Sequence, residues 1–457
     1  MGRKILFGTA ALMTASVVCW ANGSNSLAEE NAQLRRRVEK LEKEVEQLKK
    51  MVTQQTEPAK AVKEEIKSTA PPKLGEGPLQ KIAPEIQKVT ENKKPVWSDL
   101  DIQLYGYLKL DAAYDTSRID NGNYAKWVQS ESTNDNDNQF NMTANESRLG
   151  MRINGPQEGD MNTSGRVEVD FYGGGSENKS QIMMRHAYLK IDWPQERFNV
   201  IAGQTSDVIS PLYPPTLNYS VQWWAGNIGY RRPQIRLTKS WALTSDVDLT
   251  LEGALARTIG ITTTPDFTPG DAGEDAGFPS VQTRASVTFP LLGYKPTTFG
   301  LSGHWASEEL DLDATGKHKD FDSWSVNLDL DQPVNNWLTV KGELFTGENL
   351  STYLGGIGQG VNPTTYEEIG SQGGWIAASL GPWGKCRFNI GSSVDDVDNC
   401  DVNTGGRTLN RTVFGNLIYS LGKNTEVGLE LSHWRTEYKG TGDADSLRAQ
   451  TSLIYRF

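Results

Sequence analysis

Read as a succession of alternating runs, the chain gathers its chemically capable side chains on one face of those runs. Lys109, Arg148, Arg152, Arg166, Arg236, Arg284 and Arg448 fall on that face, together with Asp111, Glu146, Glu168 and Asp170. Basic groups set opposite carboxylates across water make a transverse field, which admits polar solutes and penalises apolar ones. Charges of this kind also pair across neighbouring strands and hydrate a wall, so each arginine is open to either role. Catalysis has no comparable footing. His186, His304, His318 and His433 are scattered, and no HExxH, GxSxG or zinc-spaced cysteine set occurs, so we expect no enzyme.

Further acids cluster in connecting stretches. Asp395, Asp396, Asp398 and Asp401 offer hard oxygen ligands of the type Ca²⁺ takes, but without a full calcium-loop spacing. A solvated acidic surface is the plainer reading, and surface Ca²⁺ is the one cofactor this chain suggests. Cys386 and Cys400 are expected to stay unpaired, because they fall at opposite ends of one predicted strand, beyond the roughly 7 Å Cα reach of a disulfide.

The elements that must position these groups follow from periodicity. From Val96 onward apolar residues recur every second position: Ile102, Leu104, Leu108 and Leu110 against Gln103, Tyr105, Tyr107 and Lys109, then Trp324, Val326 and Leu328 against Ser325 and Asn327. Sixteen such runs can be counted between residue 102 and Phe457. The connections between them alternate, each odd one longer than the next, which suits short turns at one end of a barrel and long loops at the other. Sixteen strands with apolar outer faces would aggregate as an open sheet in water. No run after the first twenty residues approaches the 18 or so apolar residues of a membrane helix, and a mean hydropathy of −0.52 agrees. The expected fold is therefore all-β: a 16-stranded antiparallel transmembrane β-barrel over residues 96–457.

Its closing strand is Leu447 to Phe457. Tyr455 and Phe457 fall on the oily side and are expected to serve as an assembly signal, with Arg448 and Arg456 on the wet side. Arg185 and Arg231 land on the lipid parity, where a charge costs about 2 to 4 kcal/mol at midplane. We therefore expect a rim position or a local register slip for each.

Ahead of the barrel, residues 1–28 read as a secretory signal, with Arg3 and Lys4 before an apolar stretch. Residues 29–52 read as an α-helical coiled coil: Asn31, Val38, Val45 and Val52 alternate with Leu34, Leu41 and Leu48 at heptad spacing. The pairs Glu30 with Arg35, Arg37 with Glu42 and Glu44 with Lys49 fit a parallel assembly. Valine at a and leucine at d favour two strands in isolation. Residues 53–95, rich in Pro, Lys and Glu, form a linker. The net charge of −11 divides unevenly, +5 over residues 1–95 (17 basic, 12 acidic) and −16 over residues 96–457 (29 basic, 45 acidic), which argues against nucleic acid as a partner.

Several stretches resemble the general trimeric porins of Gram-negative outer membranes: LYGYLKLDAAYD from Leu104, ESRLGMRINGP from Glu146, RHAYLKID from Arg185 and GQTSD from Gly203. The heptads, and RRPQIRLT from Arg231, narrow the resemblance to DcaP-like porins. It implies a homotrimer in the outer membrane, a periplasmic coiled coil, contact with lipid and lipopolysaccharide, and passage of small hydrophilic, anionic solutes including dicarboxylates. It also implies that residues 206–228 fold inward as a constriction loop, with Pro211, Tyr213, Pro214, Pro215, Trp223 and Trp224 as its stiff, aromatic part. The competing reading is a cell-envelope spacer, in which the barrel anchors and the coiled coil grips another layer.

Overall fold

The computed structural model describes residues 100–134, 137–174, 179–260, 273–312, 315 and 317–457. The expected signal segment, coiled coil and linker lie outside the described residues.

Sixteen antiparallel spans close on themselves. The first eight are β1 (Asp101–Asp115), β2 (Gln139–Thr143 and Arg148–Asn154), β3 (Asn162–Asp170), β4 (Met183–Trp193), β5 (Phe198–Ser206), β6 (Arg231–Ala242), β7 (Asp248–Ala256) and β8 (Ser280–Phe289). The rest are β9 (Thr297–Asp311), β10 (His318–Pro333), β11 (Leu338–Glu348), β12 (Gly370–Trp383), β13 (Cys386–Val397), β14 (Arg407–Ser420), β15 (Thr425–Tyr438) and β16 (Ala444–Arg456). The two pieces of β2 both pair with β1 and so count as one interrupted span. Closure runs from Tyr107 opposite Arg456 to Asp115 opposite Arg448. Phe457 extends it, exchanging backbone hydrogen bonds with Gly106. A closed ring leaves no unpaired edge, so its backbone polar groups are satisfied in hydrocarbon.

Side-chain parity is that of a barrel turned inside out. Leu104, Leu108, Leu301, Leu344, Ile390, Leu429 and Leu453 are exposed outward, while Ser325, Asn327, Asn410 and Ser452 are buried inward. Aromatic residues mark both ends of the apolar band. Trp193 with Phe198, Trp337 with Trp383 and Tyr455 with Phe457 ring the short-turn end, and Phe278 with Trp305 lie toward the long loops. Tyr455 and Phe457 both face outward, as expected of strand-end residues on the lipid side. Among the described residues no helix is long and apolar enough to cross a membrane.

Two corrections to the parity reading concern arginines. Between Glu168 and Val169 the β3–β4 register shifts, leaving Arg185 as an extra residue between Met184 and His186. That bulge turns Arg185 inward, where it donates to Glu168 (2.9 Å) and Asp170 (2.7 Å). Arg231 starts β6 opposite Ser206 and is covered by Trp223 and Tyr230, its guanidinium 5.4 and 5.2 Å from their ring centres. Neither arginine faces lipid.

Candidate functional site: the lumen and its inward loops

The connection 207–230, here L3, does fold into the barrel. Its backbone leaves β5 beside Asp207, which pairs with the buried Arg232 at 2.9 Å, and crosses to the far wall. There the Leu212 N–H donates to Glu343 of β11 (2.8 Å), and the Leu217 N–H to Glu430 of β15 (2.7 Å). Pro211, Pro214 and Pro215 supply no backbone donors of their own, so the stretch is held from outside itself. Gly226 shows how close L3 comes to the wall. At φ +118°, a Cβ there would lie 2.3 Å from the Gly374 carbonyl oxygen.

L3 is not alone inside. Residues 349–369, here L6, bury Leu350, Tyr353 and Ile357 against Ile209, Ile228 and the wall. Residues 116–138, here L1, bury Ile119, Ala125 and Val128 beside Ala225 of L3 and Trp434. Trp224 joins the three. Its N–H donates to the Leu354 carbonyl in L6, its carbonyl accepts from Asn410, and its ring lies 6.4 Å from both Tyr124 and Trp127 of L1. Trp223 and Trp224 therefore knit loops together at the long-loop end, whereas Tyr213, Pro214 and Pro215 lie on the stretch that crosses the lumen. Tyr219, also in L3, donates to Asp170 at 3.1 Å. Burial, and then Asp170 beside it, push this phenol up, so the proton stays on the tyrosine.

The predicted lumenal charges all face inward but divide into two groups. In the first, the charge is spent on the barrel itself. Lys109 is buried against Glu146 and Asp111 and donates to the Leu217 carbonyl at 2.8 Å. Arg448 is buried against Asp115 at 2.8 Å. Arg284 is clamped by Asp329 and Glu252, and Arg236 is largely covered and donates to Gln234 and the Ser206 carbonyl. Glu146 reaches Lys109 because it lies in the break of β2, whose backbone leaves the ladder there.

In the second group the cation stays in view of solvent. Arg148, Arg152 and Arg166 line the short-turn half of the lumen. Glu168 is shared among Arg148, Arg166 and Arg185, with the Tyr105 hydroxyl a further donor. Its side chain is 1% exposed, against 23% for Arg148 and 28% for Arg166. Asp170, at 0%, is likewise out of reach. Arg152 makes no ion pair among the described residues and stands over the Tyr105 ring at 4.5 Å. Directly opposite it on β3 is Arg166, 5.4 Å from the same ring. Below L3, Arg148 edges a cavity of about 560 Å³ together with Tyr107, Thr216, Leu217, Arg387 and Arg456.

The four proposed Ca²⁺ ligands do not converge. Asp395 lies within β13, not in a loop, and points inward, accepting from Ser371 (2.6 Å) and the Ile357 N–H (3.2 Å). Asp396, one residue on, points outward by strand alternation. Asp398 and Asp401 accept the Cys400 and Gly370 amides, which orders the loop 398–406. Ligand atoms within 4.8 Å of one another occur instead at Glu309, His318 and Asp320, on the outer face of the β9–β10 ribbon. Cys386 opens β13 and Cys400 follows it, and both are free.

A closed ring of sixteen antiparallel strands, apolar outside, charged inside and narrowed by an inward third loop, is an outer-membrane barrel of the porin type. Residues 77–239 match the family described as DcaP outer membrane protein, in agreement with the motifs from Leu104 and Arg231. Among solved structures the chain is similar to the outer membrane channel DcaP of Acinetobacter baumannii (TM-score 0.63, 19% identity, 79% of this chain and 98% of that one). It is also similar to an anion-selective porin from Comamonas acidovorans (TM-score 0.52, 13% identity, 78% and 100%). At these identities the likeness is one of fold. No curated sequence relative matches the chain.

Proposed function

We propose that the barrel is a water-filled channel for passive diffusion of small hydrophilic solutes, with a preference for anions. One observation carries the sign of that preference. The lumenal acids Glu168 and Asp170 are buried and committed to arginines, while Arg148, Arg152 and Arg166 keep exposed guanidinium edges. A permeating ion therefore meets cations on that wall, although the whole chain is acidic. The similarity to an anion-selective porin agrees. The native assembly in this reading is a homotrimer whose residues 29–52 form a periplasmic coiled coil.

Planar-bilayer recording tests the channel and the trimer together. Purified protein is expected to insert with stepwise conductance and to close at high voltage in three equal steps. Silent insertion would overturn the channel, and closure in two steps would overturn the trimer in favour of the dimer that the heptads prefer in isolation.

A further inference from the structure

The stretch of L3 that crosses the lumen is strung between two buried carboxylates, and we propose that Glu343 and Glu430 are the positioning residues that set the width of the pore. This rests on the channel reading above. Glu343 on β11 accepts the Leu212 N–H at 2.8 Å and the Trp375 indole N–H at 2.9 Å. Glu430 on β15 accepts the Thr216 hydroxyl (2.6 Å), the Leu217 N–H (2.7 Å) and the Asn416 amide (2.8 Å). Both carboxylates are buried, at 3% exposure each, and neither is ion-paired at 4 Å or closer among the described residues. Their acceptor capacity goes to L3 and to the wall residues Trp375 and Asn416.

Burying a carboxylate is costly unless its lone pairs are filled, so placing two of them behind one loop needs a reason. The loop supplies it. Between Leu212 and Leu217 lie Tyr213, Pro214, Pro215 and Thr216, and the prolines bring no N–H with which to fasten the span to the wall. The outer two amides are its handles, and each is taken by a carboxylate oxygen. At the Leu217 end the carbonyl is held as well, by Lys109 (2.8 Å) and Gln450 (2.9 Å), and the Pro215 carbonyl by Asn416 (2.8 Å). Gly428 leaves the room that the Leu217 side chain fills, since a Cβ there would lie 2.6 Å from Leu217 Cδ1. Between the two fastenings Tyr213 stays 42% exposed to the lumen. With two donors on Glu343 and three on Glu430, each carboxyl group is fixed in place, which suits the pair to hold a strand-free span taut.

The test compares the full-length protein with the Glu343→Gln/Glu430→Gln double variant. Glutamine keeps the volume but offers one acceptor oxygen, and it turns an N–H donor toward groups that are themselves donors. Heat-modifiable gel mobility reports whether the barrel has folded. We expect folded double variant with conductance raised roughly 1.5- to 3-fold, noisier open states and a higher size cut-off for neutral sugars, because a slack loop widens the path. A second readout does not depend on conduction. In a Cys386→Ser/Cys400→Ser background, Tyr213→Cys should react with a bulky maleimide several-fold faster once both glutamates are changed. If wild-type protein is silent in bilayers but this rate rises, the channel reading falls and the two fastenings stand. A folded double variant with unchanged labelling rate and unchanged sugar cut-off overturns the proposal. Should the double variant fail to fold, Thr216→Val removes a loop-side donor without altering either carboxylate, and the same readouts decide.

Discussion

Replacing Arg148, Arg152 and Arg166 together by glutamine is expected to turn the channel from anion-preferring to neutral or cation-preferring, in a barrel that still folds because Arg185 and the Tyr105 hydroxyl keep the buried Glu168 partnered. All three sit on the lumenal face of β2 and β3, and among the described residues the only carboxylate paired with them is Glu168. In the wild type that carboxylate is hidden behind the guanidinium groups. Removing three charges about 8 Å from a passing ion changes its energy by about 0.5 kcal/mol each in water, or roughly tenfold for the three together, and in opposite directions for an anion and a cation. Salt screens over about 8 Å at physiological ionic strength, so the effect should be largest in dilute electrolyte. Chloride-to-potassium permeability ratios for wild type and triple variant would read it directly. Lys109→Gln, by contrast, should alter selectivity little, since its ammonium is buried under Leu217.

The second large effect concerns stability. Arg448→Met should destabilise the barrel by about 3–5 kcal/mol, because it leaves the fully buried Asp115 without its partner at the seam where β16 closes on β1. Among the described residues the Gln139 amide, at 3.3 Å, is the one side-chain donor then left to that carboxylate. The Arg448→Met/Asp115→Leu double variant should recover most of the loss, since an apolar pair of similar volume carries no uncompensated charge. Urea midpoints of folding into detergent micelles would measure both. Equal losses in single and double variants would show that the pair contributes packing, not charge balance.

The barrel was legible because strand alternation is local: Ile102 to Leu110 shows its period without reference to any other part of the chain. Where the outward face turns polar, the signal fades. β9 reaches Asp311 and β10 begins at His318, where Glu309, Asp311, His318 and Asp320 carry the strands beyond the apolar band and leave no alternation of apolar residues to read. Arg185 escaped parity because one bulged residue inverts it. The lumenal arginines were legible as a set, but which of them stay open to solvent was not. Arg448 and Arg148 have the same parity, and they differ only in what a strand distant in sequence sets against each. Glu343 and Glu430 were invisible for the same reason: they lie 131 and 213 residues from the amides they hold. That L1 and L6 also pack inward had no sequence signal of its own, since Ile119, Tyr353 and Ile357 look like ordinary loop residues until the wall is in place.

The zero-current potential of the wild-type channel in a KCl gradient bears most directly on the claim that exposed guanidinium groups over buried carboxylates govern the lumen. With the trans chamber diluted, the potential should move toward the chloride equilibrium value and move further as both chambers are diluted. A potential displaced toward the potassium value, or one that ignores dilution, would contradict it.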